Sequence, residues 1–122
     1  MAYIDNKDGT ITDTTTGLMW QATTPVKLMT WQEAMDYCAS LNLAGHKDWR
    51  LPKIKELVSI VNYDRCNPAC DPIFNACSDG YWSSTTYRNS PSNVWDVYFD
   101  DGDTCHGERI YTHYVRAVRT AS

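Results

Sequence analysis

Four cysteines, Cys66, Cys70, Cys77 and Cys105, stand in polar, turn-rich stretches of a 122-residue chain, and a fifth, Cys38, stands in an apolar helical pattern. Thiols in this number can hold zinc, form disulfides or act as nucleophiles. Structural zinc sites favour short paired knuckles. Here three residues separate Cys66 from Cys70 and six separate Cys70 from Cys77, with His106 as a substitute ligand. Disulfides fit better than zinc, and loop cysteines at this density point to an oxidising compartment. The spacing leaves all three pairings of the four open. Cys38, on a helix face, reads as a small buried side chain and not as a nucleophile. His46, His106 and His113 have no metal-ligand spacing, so neither a metal nor another cofactor is expected.

The second group is the run "FDDGDTCHGERIYTH", with Asp100, Asp101, Asp103, His106, Glu108, Arg109 and His113. Asp96 precedes it, and Tyr87, Arg88 and Asn89 lie in the turn before that. Aromatic faces and arginine forks suit sugars or protein surfaces. Acids around an Asp-Gly pair are also ordinary turn chemistry. Taken residue by residue the turn explains them, and taken as a region they read as a recognition edge. A calcium loop is the third candidate, from "DNKDGT". With Gly9 at the sixth position, the first and twelfth positions fall on Ile4 and Thr15, which cannot supply the ligands such a loop needs. A hairpin turn accounts for the same letters.

The elements that must position these residues follow from periodicity. "YID" and "TITD" are β-prone runs either side of "NKDG", and "DTTTG" is a second turn into the strand "LMW". In "TWQEAMDYCASLNLAG", Thr30 and Glu33 form a capping box, while Trp31, Ala34, Met35, Cys38 and Leu41 share one face. Gly45 is a plausible stop. "DWRLPKIKELVSIVNY" predicts a second, shorter helix, with Pro52 in its first turn and Ile54, Leu57, Val58 and Val61 as its apolar face. "DRCNPACDPIFNACSDG" reads as a long loop pinned by covalent links. The period then changes to two in "YWSSTTY", "VWDVYFDD" and "YTHYVRAVR". In the middle run Trp95, Val97 and Phe99 form a core face, with Asp96, Tyr98 and Asp100 on a wet, acidic one. The class is therefore α+β, as one domain spanning 1–122.

Composition excludes several function classes. A net charge of −4 without a basic cluster argues against nucleic acid and anionic membrane surfaces. No apolar run is long enough to cross a bilayer, and the N-terminus lacks the pattern of a signal peptide. The opening "MA" is compatible with a fragment of a longer exported protein, and a homo-oligomer is compatible with the sequence.

The ordered motifs "DGTITDTTTGLMW", "TWQEAMDYC", "DWRLPKIKEL", "YWSSTTY" and "YVRAVR" resemble the bacterial Lcl C-terminal domain family over nearly the whole chain. The resemblance implies a C-type-lectin-like fold. In that fold the first and last strands pair, two helices pack on a twisted antiparallel sheet, and a long loop faces the ligand. It also implies extracellular or cell-surface display and, in the best understood members, adhesion to sulfated polysaccharides. Formylglycine-generating enzymes share the fold, but their cysteines in and beside the final strand have no counterpart in "YTHYVRAVR". The calcium-binding triplets of sugar-binding C-type lectins are likewise missing from "SPSN" and "VWDV". By alignment of the motifs, Cys38 faces Ala117, where lectin folds often carry a disulfide.

The sequence thus reads as a non-catalytic recognition or adhesion domain. Its ligand is a glycan, such as a polysaccharide, or a protein, held by the long loop and strand-end loops. The expected binding residues are Tyr87, Arg88, Asn89, Asp96, Asp100, Asp101, Asp103, His106 and Arg109. The alternatives are a ligand-binding variable protein of a diversity-generating retroelement, which uses the same fold, and an oxidase built on that scaffold. Without a complete calcium loop, the melting temperature should be the same in millimolar calcium and in chelator. A clear upward shift in calcium by scanning calorimetry would reveal an occupied site.

Overall fold

The computed structural model describes residues 3–121. Its first sheet is built by β1 (Tyr3–Asp5), β2 (Thr10–Asp13) and β3 (Leu18–Gln21), joined by the two short turns. The hairpin turn is held by its own acids: Asp5 accepts from the Lys7 N–H and Asp8 from the Thr10 N–H. These are Asx-turn bonds, so the letters resembling a calcium loop are spent on the backbone.

Helix α1 (Trp31–Ser40) begins at the expected capping box, with the Glu33 N–H donating to Thr30 and the Thr30 N–H donating to Glu33. It stops at Leu41, ahead of Gly45, because the chain turns extended there. Its buried Ala34 and Cys38 pack with Trp49, Leu51, Trp82, Val94, Val115 and Ala117, flanked by Trp31, Met35 and Leu41. Burial pushes the Cys38 thiol up to about 12, as expected of an inert core cysteine. Cys38 and Ala117 both lie in this cluster.

Helix α2 is only Ile54–Val58. Pro52 lies before it, not in its first turn. The Lys53 N–H donates to Glu56, and Glu56 also takes both nitrogens of Arg50 at 2.6 and 2.8 Å. Leu57 and Ile60 enter a second cluster with Ile11, Leu18, Trp20, Phe74, Tyr81, Val97 and Phe99.

The second sheet, β4 (Gly80–Thr86), β5 (Asn93–Tyr98) and β6 (Asp103–Glu108), is an antiparallel meander with β5 central. One face of β4 and β5 packs on each cluster: Tyr81, Val97 and Phe99 on the α2 side, Trp82 and Val94 on the α1 side. With both faces covered, the expected wet, acidic face is not there. Asp96 is 1% exposed.

The final run is mostly not a strand. Only β7 (Val118–Thr120) is, and it pairs antiparallel with β3, giving the order β1-β2-β3-β7. The expected pairing of first and last strands is thereby corrected: β1 is the outer strand, and β7 lies beside the third.

Two arginines, one just before β7 and one within it, fasten this segment. Arg116 is buried, and burial lowers its pKa from the ordinary value. Its guanidinium donates to the Gln21 carbonyl at 2.6 Å, the Phe74 carbonyl at 2.5 Å and the Thr24 hydroxyl at 2.8 Å. Arg119 clasps Asp48 through Nε and Nη2, at 2.6 and 3.2 Å. Replacing Arg116 with methionine keeps much of the volume but strands buried acceptors, each worth about 1–3 kcal/mol. Arg116→Met should therefore cost about 3 kcal/mol or more in urea unfolding. Arg116→Lys should restore little, because an ammonium cannot reproduce the planar fork.

Candidate functional site

The expected site residues do not form one site. Strand β6 separates them into two groups: at a rise of about 3.4 Å per residue, His106 lies about 10 Å and Arg109 about 20 Å along it from Asp103. Asp100, Asp101 and Asp103 gather at the β5–β6 turn. Tyr87, Arg88, Asn89, His106 and Arg109 gather at the other end, around the β4–β5 connection.

The acidic turn is shaped by hydrogen bonds and by a tight neighbour. Asp100 accepts from the Asp101 N–H, and Asp101 from the Asp103 N–H. The negative charge of Asp101 raises the pKa of Asp103. Gly102 has φ +88°, and a Cβ there would lie 2.6 Å from Val61. Only glycine fits that conformation and that space. The long loop docks against this end: the Asn67 N–H donates to the Asp100 carbonyl and the Ala69 N–H to the Phe99 carbonyl.

All five cysteines carry free thiols in this structure, so the loop is held by these backbone bonds instead of the expected covalent links. Cys66 and Cys70 line one recess of about 270 Å³, the first exposed and the second buried. Cys77 is half-buried, and Cys105 is exposed on β6. Desolvation pushes the Cys70 thiol up to about 11. Partial burial, and then the charge of Asp96, raises that of Cys105. Among the described residues no cluster of His, Cys, Asp and Glu is arranged to hold a metal ion.

Asp96 belongs to neither end. Its Oδ2 lies 2.9 Å from His113 Nε2, and its buried Oδ1 has no partner among the described residues. The ring of His113 is walled by Trp82 and Tyr98, at centroid distances of 4.4 and 5.5 Å. A Cβ on Gly80 would come within 2.7 Å of it. The backbone of His113 exchanges two hydrogen bonds with Met29. Sequence alternation placed Asp96 on a wet face, but the segment after β6 folds over that face and takes its carboxylate inside. Asp96 is a fastening residue.

At the opposite end, half-buried aromatic and exposed polar side chains converge. The rings of Tyr87 and His106 stack 3.9 Å apart and 8° from parallel, and Trp95 meets both edge-on at 5.3 and 5.6 Å. Asn93 Nδ2 bonds His106 Nδ1 at 3.1 Å. Arg109 lies over the Trp31 ring at 4.4 Å and donates to the Pro91 carbonyl at 2.7 Å. Arg88 and Asn89 are exposed at the tip of the connection. Trp31 and Trp95 were expected in the core; both are only partly buried. The register pairs Trp95 with His106, and Trp31 joins the platform through Arg109, contacts that periodicity along either segment does not report.

The sequence profile of the Lcl C-terminal domain family matches residues 9–119. The chain belongs to that family. No curated protein matches it. In this Lcl C-terminal domain the family-like motifs supply frame residues, among them Asp48, Arg50, Glu56, Arg116 and Arg119, whereas the aromatic platform lies outside the quoted motifs except for Trp31 and Tyr87.

Removing one partner of a buried polar pair costs about 2–4 kcal/mol, between an unmade hydrogen bond and a broken buried ion pair. Asp96→Ala should therefore lower unfolding free energy by about that much. Asp103→Ala, at the exposed turn, should stay within about 0.5 kcal/mol of the parent. Parallel urea titrations of the two variants separate a fastening carboxylate from a surface one.

Proposed function

We propose that this Lcl C-terminal domain is a non-catalytic recognition module that binds a glycan or protein ligand at the Tyr87–Arg109 end of the second sheet. The observation that carries the reading is the stack of half-buried Tyr87 on exposed His106, braced by Trp95, with exposed Arg88, Asn89 and Arg109 beside it. Stacked rings offer flat apolar area at low entropic cost, and arginine adds a directional fork. The same pairing is enriched in binding anchors. The long loop, which adjoins the acidic end, is not part of this site.

Upward-shifted thiols at Cys38, Cys70 and Cys105 support a binding module over a thiol enzyme, since the thiolate is the reactive form. A C-type-lectin-like arrangement, display outside the cytoplasm and closure of loop disulfides there belong to the same reading. A diversity-generating variable protein is the second reading, favoured by the exposed connection 88–92, which the Tyr87–Asn93 backbone bond closes at its base.

The test is a glycan array on the purified domain, followed by calorimetric titration with the best hit. Arg88→Ala and His106→Ala should each weaken binding about tenfold, the loss of roughly 1.4 kcal/mol, with melting temperatures near the parent's. Unchanged affinity in both, against a hit that binds the parent, would place the site elsewhere.

A further inference from the structure

Strand β6 closes only one side of the second sheet. The hydrogen bonds of β5 fix which of its groups are used. The Tyr87 N–H donates to the Asn93 carbonyl and the Phe99 N–H to the Asp79 carbonyl, whereas the Gly102 N–H donates to the Tyr98 carbonyl. Odd-numbered residues of β5 thus address β4, and even-numbered ones address β6, as antiparallel ladders alternate. The register pairs Asp96 with Cys105 and Tyr98 with Asp103. Asp103, Cys105 and Gly107 therefore bond inward, and Thr104, His106 and Glu108 face outward, the Glu108 carbonyl already accepting from the Tyr111 N–H of its own chain so that only its N–H is left for a partner. Among the described residues, nothing hydrogen-bonds the outward groups of Thr104 and His106.

Edges of this kind are normally shortened, bulged or blocked by proline. The outer strand of the other sheet, β1, has three residues; β6 has six, with neither proline nor register shift. Its charge is also graded along its length. Asp100, Asp101 and Asp103 gather at its start, and Arg109, with Arg88 nearby, stands at its end beside Glu108.

We propose that β6 pairs antiparallel with β6 of a second copy of this chain, joining the two three-stranded sheets into one of six strands. Centred on His106, this register sets outward residues against outward residues: Thr104 faces the partner subunit's Glu108. Asp103 then faces the partner subunit's Arg109, and the two-fold axis repeats that contact. The acidic turn of each copy lies beside the arginine end of the other. A parallel pairing would set like charges together, and a copy is the occupant whose charge gradient is complementary by construction. The interface uses backbone groups and does not rest on the ligand reading.

The test is sedimentation equilibrium of the chain over a wide concentration range in low salt. The parent should dimerise, more weakly as salt rises. Thr104→Pro removes an outward N–H without touching the ladder to β5, so it should weaken dimerisation at least about tenfold with the melting temperature of the monomer retained. Asp103→Arg should weaken it as well, and adding Arg109→Glu should restore it. The second arm stands even if the proline variant fails to fold. A chain that stays monomeric throughout, a dimer indifferent to Thr104→Pro and Asp103→Arg, or a charge swap that restores nothing would each overturn the proposal. Monomeric behaviour would leave the edge to a strand of another protein.

Discussion

The fold depends on a buried guanidinium. Arg116 reaches the end of β3, the following turn and the short 3-10 segment Pro72–Phe74 at once, from a position just before the last strand. Carbonyl and hydroxyl oxygens solvate it, with the Phe74 ring 5.5 Å away. An arginine cannot shed its charge to escape burial. The surrounding backbone must therefore present its oxygens in the right places, which fixes three otherwise irregular segments relative to one another. The aromatic platform, the acidic turn and the edge strand all hang on a sheet whose α2-side face packs on that assembly.

A division of labour follows. Polar residues in the motifs that carry the family resemblance hold the frame: Arg50 with Glu56, Arg119 with Asp48, Arg116 with backbone. The aromatic platform draws on Tyr87 and His106 near the β4–β5 connection, together with Trp95 from β5 and Trp31 from α1, which also flanks a core cluster.

Much of this was legible from the chain alone. The hairpin, the capping box of α1, the apolar faces of both helices and the strand Gly80–Thr86 each follow from local rules, because each is satisfied by neighbours in sequence. What was not legible depended on distant segments. Alternation along Trp95–Asp100 gave the faces of β5 but not what covers them, and the cover is the His113 segment, which no periodicity in β5 reports. The same holds for "YTHYVRAVR", whose β-rich composition serves buried irregular backbone and not a long strand. The scattered acids and aromatics could be placed in one region by sequence proximity, yet a six-residue strand is enough to send them to opposite ends.

The pairing of β7 with β3 also governs how the molecule can be made. Leu18 meets Thr120, so the first sheet closes a loop of about a hundred residues. Contacts of such separation are formed late and slow folding, since the loop-closure entropy precedes any gain. During synthesis, β1 to β3 emerge well before β7 and can form their meander, but their fourth strand arrives only with Val118–Thr120. Until then the inner side of β3 remains an open ladder and Arg116 has not reached its acceptors.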